Sequence, residues 1–240
     1  MLNDVTQPNY SLLFPPSADD AHAANSVAID SGRPSLLAAC YLLLLVLASP
    51  HAAATTLLGM DIDQVAAGAE LIFEGEVIQR EVRRNDSNGL INTYVTFSIL
   101  DVIKGDYNAD TLELRFTGGS LNGEIVEVSG LVIPAEAEQG VYFVESLHRA
   151  LLNPLLGWSQ GHFLIVEQDG ERRITTLDAE AVTSVQAVST IPSTIKLPQA
   201  IIEGKNEVAA GVSTDASELS LGRALTVDQF KSRIRSLLEN

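Results

Sequence analysis

Hydrophobic and polar residues alternate along the chain in several short runs between residues 70 and 175. Such alternation places apolar side chains on one face of a β-strand and polar side chains on the other. The run 93–99 shows it most clearly, and 112–116 follows the same pattern. The other predicted strands are 71–77, 123–128, 141–147, 163–166 and 172–175. Six or seven short strands of this kind are typical of an antiparallel barrel or sandwich.

Turn signals separate these runs. The segment 85–89 reads Asn-Asp-Ser-Asn-Gly, and Asn-Gly is a strong hairpin signal. The first two strands are therefore predicted to form a long hairpin. Gly105 closes the second strand, and Asp169-Gly170 marks a turn between the last two.

The alternation stops after residue 177. Residues 178–222 are rich in Ala, Ser, Thr and Val and are interrupted by proline and glycine, so we expect a linker or an irregular wrap. Thr226 and Gln229 form a capping box that predicts an amphipathic helix within 223–240. The apolar stripe of that helix is expected to dock on the barrel or to bind a partner. Its members are Phe230, Ile234, Leu237 and Leu238.

Residues 36–48 form an apolar run that is too short to span about 30 Å of hydrocarbon and is typical of a signal peptide. Small residues follow, so we expect 1–54 to be an N-terminal extension plus signal peptide, with a secreted or periplasmic mature domain. The segment 1–35 is atypical because it carries four Asp and one Arg, whereas signal peptides begin with positive charge. Two alternatives follow: a translation start near Val27, or an uncleaved leader that anchors the protein in a membrane.

Composition narrows the class of protein further. The chain has 240 residues, and the part after the leader is long enough to bury a core without disulfide or metal staples. Its single cysteine, Cys40, lies inside the apolar run. The net charge of −16 argues against nucleic acid and anionic membrane surfaces as partners, because both require a basic footprint.

A family resemblance emerges from the first strands. The sequence Ala-Glu-Leu-Ile-Phe-Glu-Gly-Glu-Val at 69–77, followed by a turn, 93–97, Val-Ile-Lys-Gly at 102–105 and 112–116, resembles the opening of the netrin-like, or tissue-inhibitor-of-metalloproteinase-like, modules. Those modules are five-stranded OB-type barrels. The resemblance implies a mostly β fold, an antiparallel OB-like barrel over 55–177 with a C-terminal helix.

The same rhythm, together with Gly-x-x-Gln-Gly-x-Phe at 157–163, also resembles a group of uncharacterised exported bacterial proteins. The inhibitory mechanism of the metalloproteinase inhibitors does not carry over to any residue of this chain. That mechanism needs an N-terminal cysteine held by disulfides, and no cysteine follows Cys40.

One motif suggests catalysis. The segment 157–161 matches Gly-x-Ser-x-Gly, which makes Ser159 the candidate nucleophile of a serine hydrolase. The motif requires a strand before the serine, a helix after it, and an acid and then a histidine later in the chain. Here a strand-like run follows, and His162 is the only later histidine. The sequence therefore predicts a non-enzymatic protein, with Ser159 kept as an alternative.

Metal and cofactor sites are also not predicted. His148 and His162 are the only histidines after residue 54, whereas a catalytic zinc usually needs three protein ligands. The segment 117–120, Thr-Gly-Gly-Ser, lacks the lysine of a phosphate loop, and a bulge or turn is favoured there. Trp158 is expected to plug one end of the barrel, with ligand stacking as the alternative. The leucines at 151–156 are expected to join that plug or to form an exposed contact surface.

These observations predict an exported, non-enzymatic protein-binding module, with an exported protease as one candidate partner. The alternatives are a structural or envelope-associated module and a serine hydrolase that uses Ser159. Contact with a membrane is expected only if the leader at 36–48 is not cleaved.

Overall fold

A computed structural model describes residues 57–188, 201–202, 208–217 and 221–239 of the chain. The predicted leader at 36–48 and the remainder of 1–54 lie outside the described residues. Within those residues, no helix has the length and apolar character needed to cross a membrane.

The described residues form twelve strands and two α-helices, with short 3₁₀ turns at Trp158–Gly161 and Leu221–Arg223. The helices are α1 (Ile62–Gly68) and α2 (Val227–Leu238). The strands are β1 (Leu57–Leu58), β2 (Leu71–Arg84), β3 (Ile91–Lys104), β4 (Thr111–Thr117), β5 (Gly119–Leu121), β6 (Glu124–Val126), β7 (Gln139–Val144), β8 (His162–Gln168), β9 (Glu171–Thr175), β10 (Ala181–Val185), β11 (Ile201–Ile202) and β12 (Val212–Asp215).

Eight of these strands form one antiparallel sheet in the order β12-β10-β9-β8-β7-β2-β3-β4. Two small pairs, β1 with β11 and β5 with β6, complete the strand pairing. The prediction of a mostly β, antiparallel fold with a C-terminal helix is confirmed. The end strands β4 and β12 are not paired with each other in the described part of the chain, so a closed barrel is not observed there.

The hairpin β2–β3 is the largest part of the sheet, and it confirms the hairpin predicted from the Asn-Gly signal. Each strand has 14 residues, and pairing runs from Ile72 opposite Lys104 to Arg84 opposite Ile91. Three register shifts interrupt this ladder. Such bulges increase the local twist of a strand.

Each face of the sheet packs against a hydrophobic core. Alternate residues of β2 point to opposite sides, so Ile72 enters one core while Leu71 and Phe73 enter the other. The first core lies beneath α1 and α2 and includes Phe143, Phe163, Phe230 and Ile234. The second core has an aromatic centre of Phe73, Phe97 and Tyr142, with ring centroids 4.7 to 5.4 Å apart.

The C-terminal helix α2 packs on the sheet. Its capping box is present as predicted, with the Thr226 hydroxyl accepting from the Gln229 amide and the Gln229 side chain accepting from the Thr226 amide. Phe230 is fully buried, and its ring centroid lies 4.9 Å from that of Phe163. The apolar stripe is therefore occupied by the protein's own core.

A buried ion network also holds α2 to the sheet. Glu74 of β2 is only 2% exposed, and it accepts hydrogen bonds of 2.6 Å from both Arg172 and Lys231. Lys231 also lies 3.1 Å from Asp101, which pairs with Arg235 at 2.9 Å. Burial alone would lower the pKa of Lys231, but the Glu74 and Asp101 carboxylates hold that pKa above its usual value.

The described parts of 178–222 differ from the expected linker or irregular wrap. They include β10 and β12, which pair with each other at one end of the main sheet. Ala181 and Val182 are fully buried in β10. These strands are short and carry small or β-branched residues on both faces, so they lack the alternation by which longer strands are recognised.

Candidate functional site

The β5–β6 hairpin and the loop after it border an open cleft of about 590 Å³. One wall comes from 117–120, at the junction of β4 and β5. The other wall comes from 125–131, with Ile133 beyond it. Leu131 and Ile133 also pack against the second core, so this loop covers that face of the sheet and shapes the cleft.

Two glycines build the first wall. Gly118 and Gly119 have φ angles of 110° and 134°, which L side chains rarely adopt. A Cβ atom on Gly118 would lie 2.7 Å from the Val126 carbonyl oxygen, and one on Gly119 would lie 2.6 Å from the Thr93 hydroxyl. That hydroxyl donates to the Gly118 carbonyl at 2.7 Å. The motif considered above as a phosphate loop is thus the close-packed junction that turns the chain from β4 into β5.

A tight turn and an ion pair fix the hairpin itself. Asn122 and Gly123 join β5 to β6 with φ angles of 52° and 85°, the pattern of a two-residue type I′ turn. The Arg84 guanidinium donates to the Glu124 carboxylate at 2.7 Å and to the Gly89 carbonyl at 2.9 Å. The cleft is therefore tied to the far end of the β2–β3 hairpin.

The lining combines apolar side chains, hydroxyl groups and glycine peptide groups. Glu127 is its one charged residue, and no Lys, Arg or His belongs to it. Ile125 is 67% exposed at the rim. Leu152, 54% exposed, borders the same wall because its carbonyl accepts the Thr117 N–H at 2.9 Å. These surroundings suit an apolar or neutral ligand and disfavour phosphate or carboxylate, which need cationic partners.

Glu138 ties down the end of the loop that forms the second wall. One of its carboxylate oxygens lies 2.7 Å from His162 Nε2 and accepts the Tyr142 hydroxyl at 3.1 Å. The other accepts the Ala135 amide at 3.1 Å. The Glu138 carbonyl also accepts the Val77 amide at 2.9 Å. The loop is thus attached to β2, β7 and β8 at a single residue.

Burial and charge shift the pKa values in this cluster. Burial alone would raise the pKa of Glu138, but the hydrogen bond and charge of His162, with the Ala135 and Tyr142 donors, hold it below its usual value. Burial raises the pKa of Tyr142, and the neighbouring Glu138 carboxylate adds to that rise. The cluster therefore holds a carboxylate as an anion and a phenol as a neutral donor.

The Gly-x-Ser-x-Gly motif has a different local context from a nucleophile elbow. Ser159 is buried in the 3₁₀ turn Trp158–Gly161, and strand β8 follows that turn directly. Gly157 has a φ of 67°, and a Cβ atom on Gly161 would overlap the Leu156 carbonyl. The Gln160 side chain accepts the Met60 amide at 2.6 Å. Gln160 thus joins this turn to the segment before α1, and both glycines have structural roles in the turn itself.

The leucine-rich segment 151–156 and Trp158 were interpreted above either as part of a buried plug or as an exposed surface. Leu155 is buried in the second core, and Leu156 packs against the first. Leu152 is exposed beside the cleft, and Trp158 is half-buried. The segment therefore contributes both to the core and to an exposed surface.

The two candidate histidines lie in separate places. His162 is 1% exposed and contacts the Tyr142 ring at 5.1 Å between centroids, whereas His148 is exposed beside Glu70. Within the described ranges, no group of three His, Cys, Asp or Glu residues is arranged to hold a metal ion.

Comparison of the chain with protein-family models, with curated proteins and with solved structures found no match.

Sequence reasoning missed the Glu138 cluster and the cleft. Glu138 precedes a predicted strand by three residues and resembles any exposed loop glutamate in the sequence. Its partner His162 lies 24 positions further on, and only the pairing of β7 with β8 brings the two together. The available signal for the cleft was the double glycine at 118–119, which indicated unusual backbone but not a concave surface.

Proposed function

We propose that this protein is a protein-binding module that holds an extended, apolar segment of a partner in the cleft between 117–120 and 125–133. The observation that carries the proposal is the open cleft, which has a wall rich in aliphatic side chains over 125–133 and a strongly exposed isoleucine at its rim. Clefts of this size lined by apolar side chains and a few polar groups are typical ligand sites. The Thr117, Ser120 and Ser129 hydroxyls offer hydrogen bonds to an extended backbone.

Charge defines the partner segment. Glu127 is the only acidic or basic residue in the lining, and the whole chain is strongly acidic. A carboxylate on the partner would be desolvated beside Glu127 with no cation to compensate it. The segment that fits is therefore apolar or carries one basic residue.

The proposed function is that of an exported, non-enzymatic binding module. An exported protease is one candidate partner that carries such a segment. The netrin-like OB-like barrel, the secreted or periplasmic location and the signal peptide belong to this proposal. Hydrolysis by Ser159 receives less support, because the serine is buried in a 3₁₀ turn that joins a strand.

A peptide library tests the proposal directly. The protein is used to select binders from a phage-displayed random dodecapeptide library, and their affinities are measured by isothermal titration calorimetry. Ile125→Asp places a charge at the rim and is expected to weaken binding by about tenfold or more, because burial of one large aliphatic side chain is lost. Leu100→Asp is the matched control, since Leu100 is 50% exposed on β3 and does not line the cleft.

The expected peptides are apolar or basic, and amide chemical-shift changes on binding should concentrate in 117–133. Failure to select any peptide would contradict the proposal. Equal losses in the two variants would also contradict it, because binding would then not depend on the cleft.

A further inference from the structure

Strand β4 leaves one edge of the main sheet open. The Ile99 N–H donates to the Asp110 carbonyl, and the Gly118 N–H donates to the Ile91 carbonyl. The backbone N–H and C=O groups of the even-numbered β4 residues therefore point toward β3. The backbone N–H and C=O groups of the odd-numbered residues point away from β3, as the bond from the Thr117 N–H to the Leu152 carbonyl shows. In the described part of the chain, no hydrogen bond reaches the outward N–H and C=O groups of Glu113 and Arg115.

The sequence of this edge is chemically symmetric about its centre. It reads Thr-Leu-Glu-Leu-Arg-Phe-Thr from Thr111 to Thr117. An antiparallel copy aligned on Leu114 places threonine opposite threonine, leucine opposite phenylalanine, and glutamate opposite arginine. Glu113 is exposed and Arg115 is half-buried on the outer face of the sheet, so both carry their charge on the same side.

We propose that two copies of the chain associate through β4, antiparallel and in register at Leu114. Glu113 then exchanges both backbone hydrogen bonds with Arg115 of the partner subunit, and Arg115 does the same with Glu113 of the partner subunit. This gives four backbone bonds and two opposite-charge pairs, which are the units that stabilise adjacent strands. The association lies beyond the peptide-binding function proposed above and does not depend on it.

The surroundings of β4 set the limits of this pairing. The Leu152 carbonyl already occupies the Thr117 N–H, and the Thr111 carbonyl accepts the Tyr107 hydroxyl at 2.7 Å. The Arg115 guanidinium donates one hydrogen bond to the Leu151 carbonyl at 3.2 Å, and its other N–H groups remain for Glu113 of the partner subunit. The new ladder is therefore confined to the central residues. Within the chain, the Glu113 carboxylate lies 3.5 Å from the Arg83 guanidinium, which is a long distance for an ion pair. The carboxylate is therefore available to a second arginine. An interface of this size is expected to be weak.

Charge reversal tests the register. Sedimentation equilibrium of the protein up to about 1 mM, the range in which small interfaces associate, should show a monomer–dimer equilibrium. Glu113→Arg and Arg115→Glu each create two like-charge pairs, and each should raise the dimer dissociation constant by about tenfold. The double variant restores opposite charges across the two copies and should recover the wild-type dissociation constant. Circular dichroism confirms that each variant is folded.

Amide hydrogen exchange measures the protection of backbone N–H groups, which a change of side-chain charge alone does not produce. The amides of Glu113 and Arg115 should exchange rapidly in dilute protein and become protected as the dimer forms. A monomer at all concentrations would overturn the proposal, as would a double variant that stays dissociated. Protection of both amides in dilute protein would overturn it too, because another segment of the same chain would then cover the edge.

Discussion

Replacing Glu138 with glutamine tests whether a buried carboxylate holds the cleft wall in place. The variant Glu138→Gln keeps the shape of the side chain and removes its charge. The carboxylate has three hydrogen-bond donors in the fold: the His162 ring, the Tyr142 hydroxyl and the Ala135 amide. Hydrogen bonds to charged groups contribute about 1.5–3 kcal/mol each, and a neutral amide retains part of that. We expect a loss of about 2 kcal/mol in the free energy of unfolding at pH 7.

The pH dependence distinguishes a charge effect from a packing effect. The pKa of Glu138 is lowered in the folded state, so its stabilising contribution is present above the unfolded value near 4.5 and is lost as pH falls through the folded pKa. The stability difference between wild type and Glu138→Gln should therefore shrink below about pH 4.5. Urea denaturation monitored by circular dichroism at several pH values between 7 and 3 measures this difference.

A neighbouring residue in the same loop supplies the control. Glu136 is exposed, so Glu136→Gln should change the free energy of unfolding by no more than about 0.5 kcal/mol. Equal losses in the two variants would refute the reasoning. A stability difference for Glu138→Gln that stays constant from pH 7 to pH 3 would refute it as well, since the effect would then arise from packing.

Two further predictions concern the helix and the glycine wall. Phe230→Ala opens a cavity in the first core and should lower the free energy of unfolding by about 3–5 kcal/mol, as measured by urea denaturation; a loss under 1 kcal/mol would mean that α2 is not docked. Gly118→Ala places a Cβ atom 2.7 Å from the Val126 carbonyl at a φ of 110° and should cost more than about 1 kcal/mol, whereas Gly123→Ala meets no atom within 4 Å and should cost less.

The sequence predicts those parts of the fold in which one face is polar and the other apolar. The runs around Phe97 and Leu114 alternate regularly, and their strands were found where the pattern placed them. The capping box at Thr226 marked the start of α2 in the same way. The alternation pattern did not predict β10. Both faces of that strand are partly buried, so polar residues do not mark one face and apolar residues the other.

Ion pairs between distant parts of the chain are contacts that the sequence does not predict. Glu74 lies within the predicted strand 71–77, yet α2 covers it and supplies Lys231 as its partner. The two residues are 157 positions apart in the chain. A contact at that separation depends on where the helix docks, and no local pattern contains that information. The same argument applies to Glu138 and His162.

Thr117 links the two surfaces proposed here, and its hydrogen bond shows why they are compatible. Thr117 lines the cleft, and its backbone N–H donates a hydrogen bond to the Leu152 carbonyl. The ladder between two copies must therefore end before it reaches the cleft, and each copy keeps its own cleft free. A dimer would then present two clefts to one partner, so a partner with two suitable segments gains affinity through effective concentration without new contacts. Loss of that gain in Glu113→Arg, with unchanged affinity for a single peptide, would separate the role of the edge from that of the cleft.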